Sequence, residues 1–301
     1  MHGRDFLSVA DLDPDELRAV IDLALELKRT ADLPQPLAGK YIAMLFQKPS
    51  HRTRVSFEVG IGRLGGRPIT LGDQDVQLGA REDIGDAARV LDRYVQGIVA
   101  RMRRHEDLLA LARAAQVPVV NALTEVSHPC QILADLVTMR ERFGDVDGQQ
   151  VAYIGDGNNI ANSLIEAAAL LGLQLVVITP PRHRPAEPVL QAARALAGDG
   201  FHVELSSDPG AVKGASVVYT DVWTSMGFEA ERELRQREFA GYQVNEALLR
   251  AAPDAVFMHC LPAHRGEEVT DQVIDGKQSI VFDQAENRLY AQMALLALIY
   301  T

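Results

Sequence analysis

Short apolar runs alternate with stretches whose apolar residues recur three and four positions apart, and the alternation continues along the whole chain. Leu17, Val20, Ile21, Ala24, Leu25 and Leu27 share one face behind Asp13-Pro14, which predicts a first helix ending near Thr30. After a loop at 34–39, Tyr41–Phe46, Pro68–Leu71, Val95–Val99 and Val117–Val120 read as strands. Helices are expected near Arg54–Leu64, Glu82–Tyr94, Glu106–Ala115 and Pro129–Phe143. The polar segment GDVDGQQ at 144–150 suits a domain boundary. Beyond it the pattern restarts, with strands at Val151–Ile154, Leu175–Thr179, Phe201–Leu205, Ser216–Tyr219 and Ala255–His259. Helices follow near Ala161–Leu171, Val189–Ala197, Asn245–Ala251 and Val269–Asp275, and a strand-like Ile280–Phe282 precedes a last helix over Asp283–Tyr300. Strands and helices in alternation imply parallel sheets covered on both faces. The expected fold class is therefore α/β, with two doubly wound parallel-sheet domains over residues 1–143 and 151–282. In such proteins a ligand cleft at the domain junction is the usual place for chemistry.

Composition narrows the function. A length of 301 residues suits two domains, and 30 basic against 41 acidic residues give a net charge of −11, which argues against a nucleic-acid partner. Two cysteines, Cys130 and Cys260, are too few for a disulfide framework or a cysteine zinc site, so a cytoplasmic protein is expected. Arg4 and Asp5 stand where a secretory signal needs apolar residues, and no stretch approaches the ~20 apolar residues of a membrane span.

Five motifs carry candidate chemistry. Lys48-Pro49-Ser50-His51-Arg52-Thr53-Arg54 lies between an expected strand and an expected helix, where free backbone N–H groups and the helix dipole favour an anion. Arginine matches phosphate oxygens bidentately, although Ser50 also reads simply as a helix cap before a charged turn. His128-Pro129-Cys130-Gln131 opens another helix, with His128 and Gln131 as candidate polar contacts or structural residues. Arg101 follows a strand, at the end where α/β sheets bind ligands; alternatively it is a surface arginine. Gly155-Asp156-Gly157-Asn158-Asn159 is close to a dinucleotide fingerprint but has Ile160 at the third glycine position and no acidic residue after the next strand, which disfavours a nicotinamide enzyme. Asn159 then reads as a contact for a substrate carboxylate or as a helix cap. Asp221-Val222-Trp223-Thr224-Ser225-Met226-Gly227 and His259-Cys260-Leu261-Pro262-Ala263-His264-Arg265-Gly266 each follow a strand, with Asp221 suited to an ammonium group and Cys260 to a second nitrogen, unless that thiol is inert. His259 and Cys260 are adjacent on a strand and point apart, which disfavours a cysteine nucleophile, and the histidines lack metal-site spacing.

Together, in this order and spacing, these motifs resemble the aspartate/ornithine carbamoyltransferase family over essentially the whole chain. SHRTR is similar to the family's Ser-Thr-Arg-Thr-Arg signature for carbamoyl phosphate, with His51 at a position expected to serve through its backbone amide. HPCQ resembles a second carbamoyl-phosphate element, and Arg101, Gln77 and Arg288 match further ligands. DVWTSMG and HCLPAHRG resemble the family's ornithine-specific elements, which its aspartate-specific branch is expected to lack.

The resemblance implies that 1–143 together with a C-terminal helix at 283–301, packed back on it, binds carbamoyl phosphate, and that 151–282 binds ornithine. It implies a carbamoyl-phosphate set of Ser50, His51, Arg52, Thr53, Gln77, Arg101, His128, Gln131, Cys260, Leu261 and Arg288. Asn159, Asp221, Ser225 and Met226 are the implied ornithine set, with Arg101, His128 and Cys260 catalytic. A cis Leu261-Pro262 peptide is implied, with the Leu261 carbonyl accepting from the carbamoyl NH2. The implied reaction converts carbamoyl phosphate and L-ornithine to L-citrulline and phosphate, a urea-cycle-type step of arginine metabolism, without metal or cofactor, in a homotrimer or a multiple of trimers. Three alternatives stay open: a transferase for another amine such as putrescine or an acetylated ornithine, a non-catalytic amino-acid or phosphate-binding protein, and a nicotinamide oxidoreductase.

Overall fold

The computed structural model describes residues 1–76, 82–224 and 229–301, and the chain divides into two compact units, Met1–Glu141 with Glu286–Thr301 and Arg142–Ala285. The first unit holds strands β1 (Tyr41–Phe46), β2 (Arg67–Gly72), β3 (Gly97–Arg101) and β4 (Val119–Leu123), all parallel, in the spatial order β2-β1-β3-β4. Its helices are α1 (Pro14–Arg29), α2 (His51–Arg63), α3 (Asp73–Val76), α4 (Ile84–Leu91), α5 (His105–Ala114) and α6 (Pro129–Phe143). The second unit holds parallel strands β5 (Gln150–Ile154), β6 (Gln174–Ile178), β7 (Val203–Ser206), β8 (Val217–Thr220) and β9 (Val256–His259) in the order β7-β6-β5-β8-β9. Its helices are α7 (Asn159–Leu171), α8 (Glu187–Ala197), α9 (Arg232–Glu238), α10 (Glu246–Leu249) and α11 (Asp271–Ile274), and α12 (Val281–Tyr300) carries the chain from this unit into the first.

Strands β1, β3 and β4 show no polar alternation because both faces are covered: β3 and β4 are buried at every position, and β1 at all but Tyr41. The strand order reverses between β1 and β3 in one sheet and between β5 and β8 in the other. At such a switch point the loops leaving two neighbouring strands run to opposite faces and open a crevice at the carboxyl ends, where ligands bind. SHRTR follows β1 and Arg101 ends β3, while GDGNN follows β5 and Asp221 follows β8. Three of the five sequence motifs, together with Arg101, thus fall on the two switch points.

Helix α12 packs on the first unit. Leu289 and Met293 approach α2 so closely that a Cβ on Gly60 would stand 3.1 Å from the Met293 side chain. Lys28 of α1 pairs with Glu141 of α6 and Glu286 of α12, each at 3.0 Å. Tyr300 donates its hydroxyl to the Gln96 carbonyl at 2.7 Å, over the start of β3.

Several boundaries differ from those expected. Ile280–Phe282 is not a strand: Ser279 makes one parallel bridge to Phe257, and the helix begins at Val281, with Gln284 N–H already bonded to the Ile280 carbonyl. The expected strand at Val95–Val99 lies instead at Gly97–Arg101, because Val95 N–H closes the turn after α4 on the Leu91 carbonyl. Helix α9 has no counterpart among the expected elements. Among the described residues no helix is long and apolar enough to cross a membrane.

Candidate active site

In the first unit the turn after β1 ends in Ser50, which caps α2: its hydroxyl accepts from Thr53 N–H at 3.3 Å and donates to the Thr53 hydroxyl at 3.0 Å. Thr53 is wholly buried one turn into the helix because Arg288 of α12 reaches it, donating Nη2 to Oγ1 at 3.0 Å. The other arm of the same guanidinium donates Nη1 to Gln131 Oε1 at 2.9 Å, and Gln131 in turn donates to Asp135 on the next turn of α6. Arg101, at the β3 carboxyl end and in register with Phe46 of β1, is 5% exposed, and Arg288 is 3% exposed. Two guanidiniums this deep bring positive charge where water does not screen it, so the pocket favours an anion.

These charges act on His128, immediately before α6. Burial first, then Arg288 and Arg101, hold its imidazole well below the usual histidine range, so it is neutral at physiological pH and able to donate one N–H. Cys130, two residues on, bonds through Sγ to the Asn121 carbonyl at 3.3 Å, and burial pushes its thiol up to about 12. It is an unreactive core cysteine.

The second unit gathers a different set. Asn158 caps α7, its Oδ1 accepting from Ile160 and Ala161 N–H, and its Nδ2 donates to Asp221 Oδ2 at 2.8 Å. Cys260, just past β9, donates its thiol to Asp221 Oδ1 at 3.1 Å. Asp221 is thereby held from two sides with lone pairs left over, a suitable seat for an ammonium group. His259 does not point wholly away from this set, as strand alternation alone would require: one of its ring nitrogens stands within 4.8 Å of a ligand atom of Asp221 and of Cys260. Its Nδ1 accepts from Leu261 N–H at 2.9 Å, so the ring hydrogen sits on Nε2 and points to Glu268 Oε1 at 3.1 Å; both His259 and Glu268 are fully buried. This pair braces the turn Cys260-Leu261-Pro262, in which the Leu261-Pro262 peptide is cis and Leu261 has φ 55°.

Beneath this set runs a buried ionic network that the motifs did not reveal. Asp156, Arg235 and His183 stand together, with Arg235 Nη1 2.7 Å from Asp156 Oδ2 and His183 Nε2 2.6 Å from Glu238 Oε2. Burial raises the Asp156 carboxyl above the usual range, opposed by Arg235.

The structure thus brings together Ser50, Thr53, Gln131 and Arg288, and separately Asp221 and Cys260. Arg52 is half-buried and His51 exposed at the α2 start. Asn159 is the first residue of α7 and not its cap; Asn158 caps the helix because it alone has the extended backbone a capping side chain needs. Gln77, Ser225 and Met226 lie outside the described residues. Asp221, His259 and Cys260 bring one possible metal-ligand atom each within 4.8 Å, but both His259 ring nitrogens are already engaged. A cavity of about 550 Å³, lined by Gln150, Gln174, His202 and Lys213 among others, opens at the amino-terminal ends of β5 to β7, the end at which doubly wound sheets do not place their ligands. None of the candidate residues lines it.

Fold and sites define a two-domain α/β enzyme that handles an anion and an amine. The pattern described as Aspartate/ornithine carbamoyltransferase, carbamoyl-P binding domain, matches residues 4–141, and that of the Asp/Orn binding domain matches residues 147–299. The ornithine carbamoyltransferase of Symbiobacterium thermophilum is 51% identical over 99% of this chain and 98% of its own. The solved ornithine carbamoyltransferase from Pyrococcus furiosus superposes with a TM-score of 0.95 at 50% identity, covering 99% of this chain and 97% of that one. The enzyme from Thermus thermophilus gives 0.90 at 46%, covering 99% of both. The chain belongs to the aspartate/ornithine carbamoyltransferase family.

Proposed function

We propose that the protein carbamoylates the δ-amine of L-ornithine with carbamoyl phosphate, releasing L-citrulline and phosphate. The observation that carries this reading is Asp221, a 6%-exposed carboxylate held by Asn158 and Cys260. A fixed carboxylate attracts the ammonium groups of ornithine and repels the side-chain carboxylate of aspartate, so it selects between the family's two acceptors. The relatives described above carry the ornithine name, and the one from Pyrococcus furiosus is designated anabolic, which supports a role in arginine formation.

In this reading Ser50, Arg52, Thr53 and Arg288, with the backbone amides of the α2 start including that of His51, neutralise the phosphate. Arg101, Thr53 and neutral His128 donate to the carbamoyl oxygen, and Gln131, Gln77 and the Leu261 carbonyl orient its NH2 end. Asn159, Asp221, Ser225 and Met226 hold the amino-acid part of ornithine. The δ-nitrogen, once deprotonated, attacks the carbamoyl carbon; the tetrahedral intermediate then breaks its C–O bond to phosphate, and the second amine proton leaves. Positioning and charge stabilisation supply the rate, and no cofactor is required.

The test is citrulline formation with purified protein, beside parallel reactions with aspartate, putrescine and N-acetylornithine. Selective turnover of ornithine is expected. Turnover of a different amine would overturn the assignment of Asp221, and no turnover would favour a binding protein.

Cys260 stands beside the δ-amine in this scheme and favours its neutral form. Cys260→Ala is expected to lower kcat and to move the pH profile; an unchanged profile with normal turnover would remove Cys260 from catalysis. We also assign the protein to the cytoplasm, and to a homotrimer, for which the exposed Val55 and Val59 on α2 and Ile69 on edge strand β2 offer apolar contact surface. Light scattering that returned a monomer mass would contradict the trimer.

A further inference from the structure

We infer that Arg235 is a positioning residue for the amino-acid substrate, and that α9 is the clamp that holds the two loops of the second unit in mutual register. The inference rests on the function proposed above. Loop 221–224 carries Asp221, and the turn at 155–159 carries Asn158 and Asn159; they leave different strands, β8 and β5. Besides the contact between Asn158 and Asp221, an atom of α9 bridges them: Arg235 Nη1 donates both to Asp156 Oδ2 of the turn at 2.7 Å and to the Trp223 carbonyl of the loop at 3.0 Å. Its Nε donates to Glu231 at 3.0 Å, which fixes the guanidinium against its own helix, and the residue is 6% exposed.

The far end of α9 is fastened to the same turn by another route. Glu238 accepts from His183, whose carbonyl accepts Gly157 N–H at 2.8 Å. Phe239, the next residue, stacks on Trp223 with ring centroids 5.7 Å apart and touches His183 at 4.6 Å. The middle and the carboxyl end of a seven-residue helix therefore grip both the turn and the loop. A planar guanidinium bonded to a carboxylate and a carbonyl fixes angles as well as distances, which a flexible ammonium does not. No group of this network needs to touch either substrate. Its effect is to set where Asp221 stands relative to Asn158 and Asn159.

The test is steady-state kinetics on the full chain, varying each substrate at saturation of the other. Arg235→Gln is expected to raise the KM for ornithine roughly 10-fold or more while the KM for carbamoyl phosphate stays within about twofold, since sub-ångström displacement of a binding group is costly. Arg235→Lys should recover part of the loss. Because removal of Arg235 strands Asp156, Glu238→Gln is the second variant, expected to raise the ornithine KM by a smaller factor in a folded protein. If both KM values move together, or neither moves in a folded Glu238→Gln and Arg235→Lys, the inference is overturned while the proposed function stands. A wild-type protein that turns over no ornithine overturns both.

Discussion

Arg101→Ala is expected to reduce kcat roughly 10²- to 10³-fold, the usual cost of deleting one donor aimed at developing oxyanion charge. The size follows from where the residue lies. A guanidinium that is 5% exposed at the end of β3 acts through little water, and its direction is fixed by a strand buried at every position. The same substitution carries a spectroscopic readout. Arg101 is one of the charges that hold His128 below the ordinary histidine range, so its removal should move the His128 titration upward, although burial and Arg288 still keep it depressed. Turnover within a few-fold of wild type, or an unmoved His128 titration by NMR, would show that Arg101 does not face this pocket.

The second large effect concerns Gly157. A Cβ built there would stand 2.3 Å from Pro185 N and 2.5 Å from the Arg184 carbonyl carbon, both backbone atoms that cannot swing aside. Gly157→Ala is expected to cost about 3 kcal/mol, the upper part of the range for overpacking. Gly62→Ala is its control. Gly62 lies inside α2, and an added Cβ meets nothing within 4 Å, so alanine there should stabilise by about 0.5–1 kcal/mol through helix propensity. Thermal unfolding checks both; equal shifts for the two variants would mean that the 183–185 segment does not close on the turn. The close approach of this backbone also explains the glycine in GDGNN, a stretch that is close to a dinucleotide fingerprint but fails it. Gly157 is small to admit a backbone segment, and no phosphate enters that explanation.

Much of the architecture was readable because buried parallel strands announce themselves. YIAMLF at β1 and GIVAR at β3 have few other uses in a chain that alternates helices with strands, and the Pro- and Ser-led helix starts mark where the loops turn. The switch points followed from strand order, which no local pattern encodes. The missing helix α9 has a physical reason: Arg232–Glu238 reads RELRQRE, charged on nearly every side, and it is helical because Arg235 is buried by tertiary contacts and not because an apolar face is. Asn158 and Asn159 are equivalent by composition, and only backbone conformation makes the first the cap. Arg288 was found by resemblance; its bonds to Thr53 and Gln131 span 235 and 157 positions, a separation at which no spacing rule operates.

That separation bears on how the protein is made. The second unit is one uninterrupted stretch, 142–285, whereas the first is closed by residues 286–301, which also supply Arg288. A ribosome therefore finishes the second unit while the first still lacks its closing helix, although the first began to emerge earlier. Until those last residues appear, the groove that α12 will fill around Gly60 is open and apolar, and the pocket at Thr53 lacks one of its two buried arginines. The order of synthesis thus ties anion binding to the last segment of the first unit: a polypeptide stopped short of residue 286 lacks both the helix that closes that unit and Arg288.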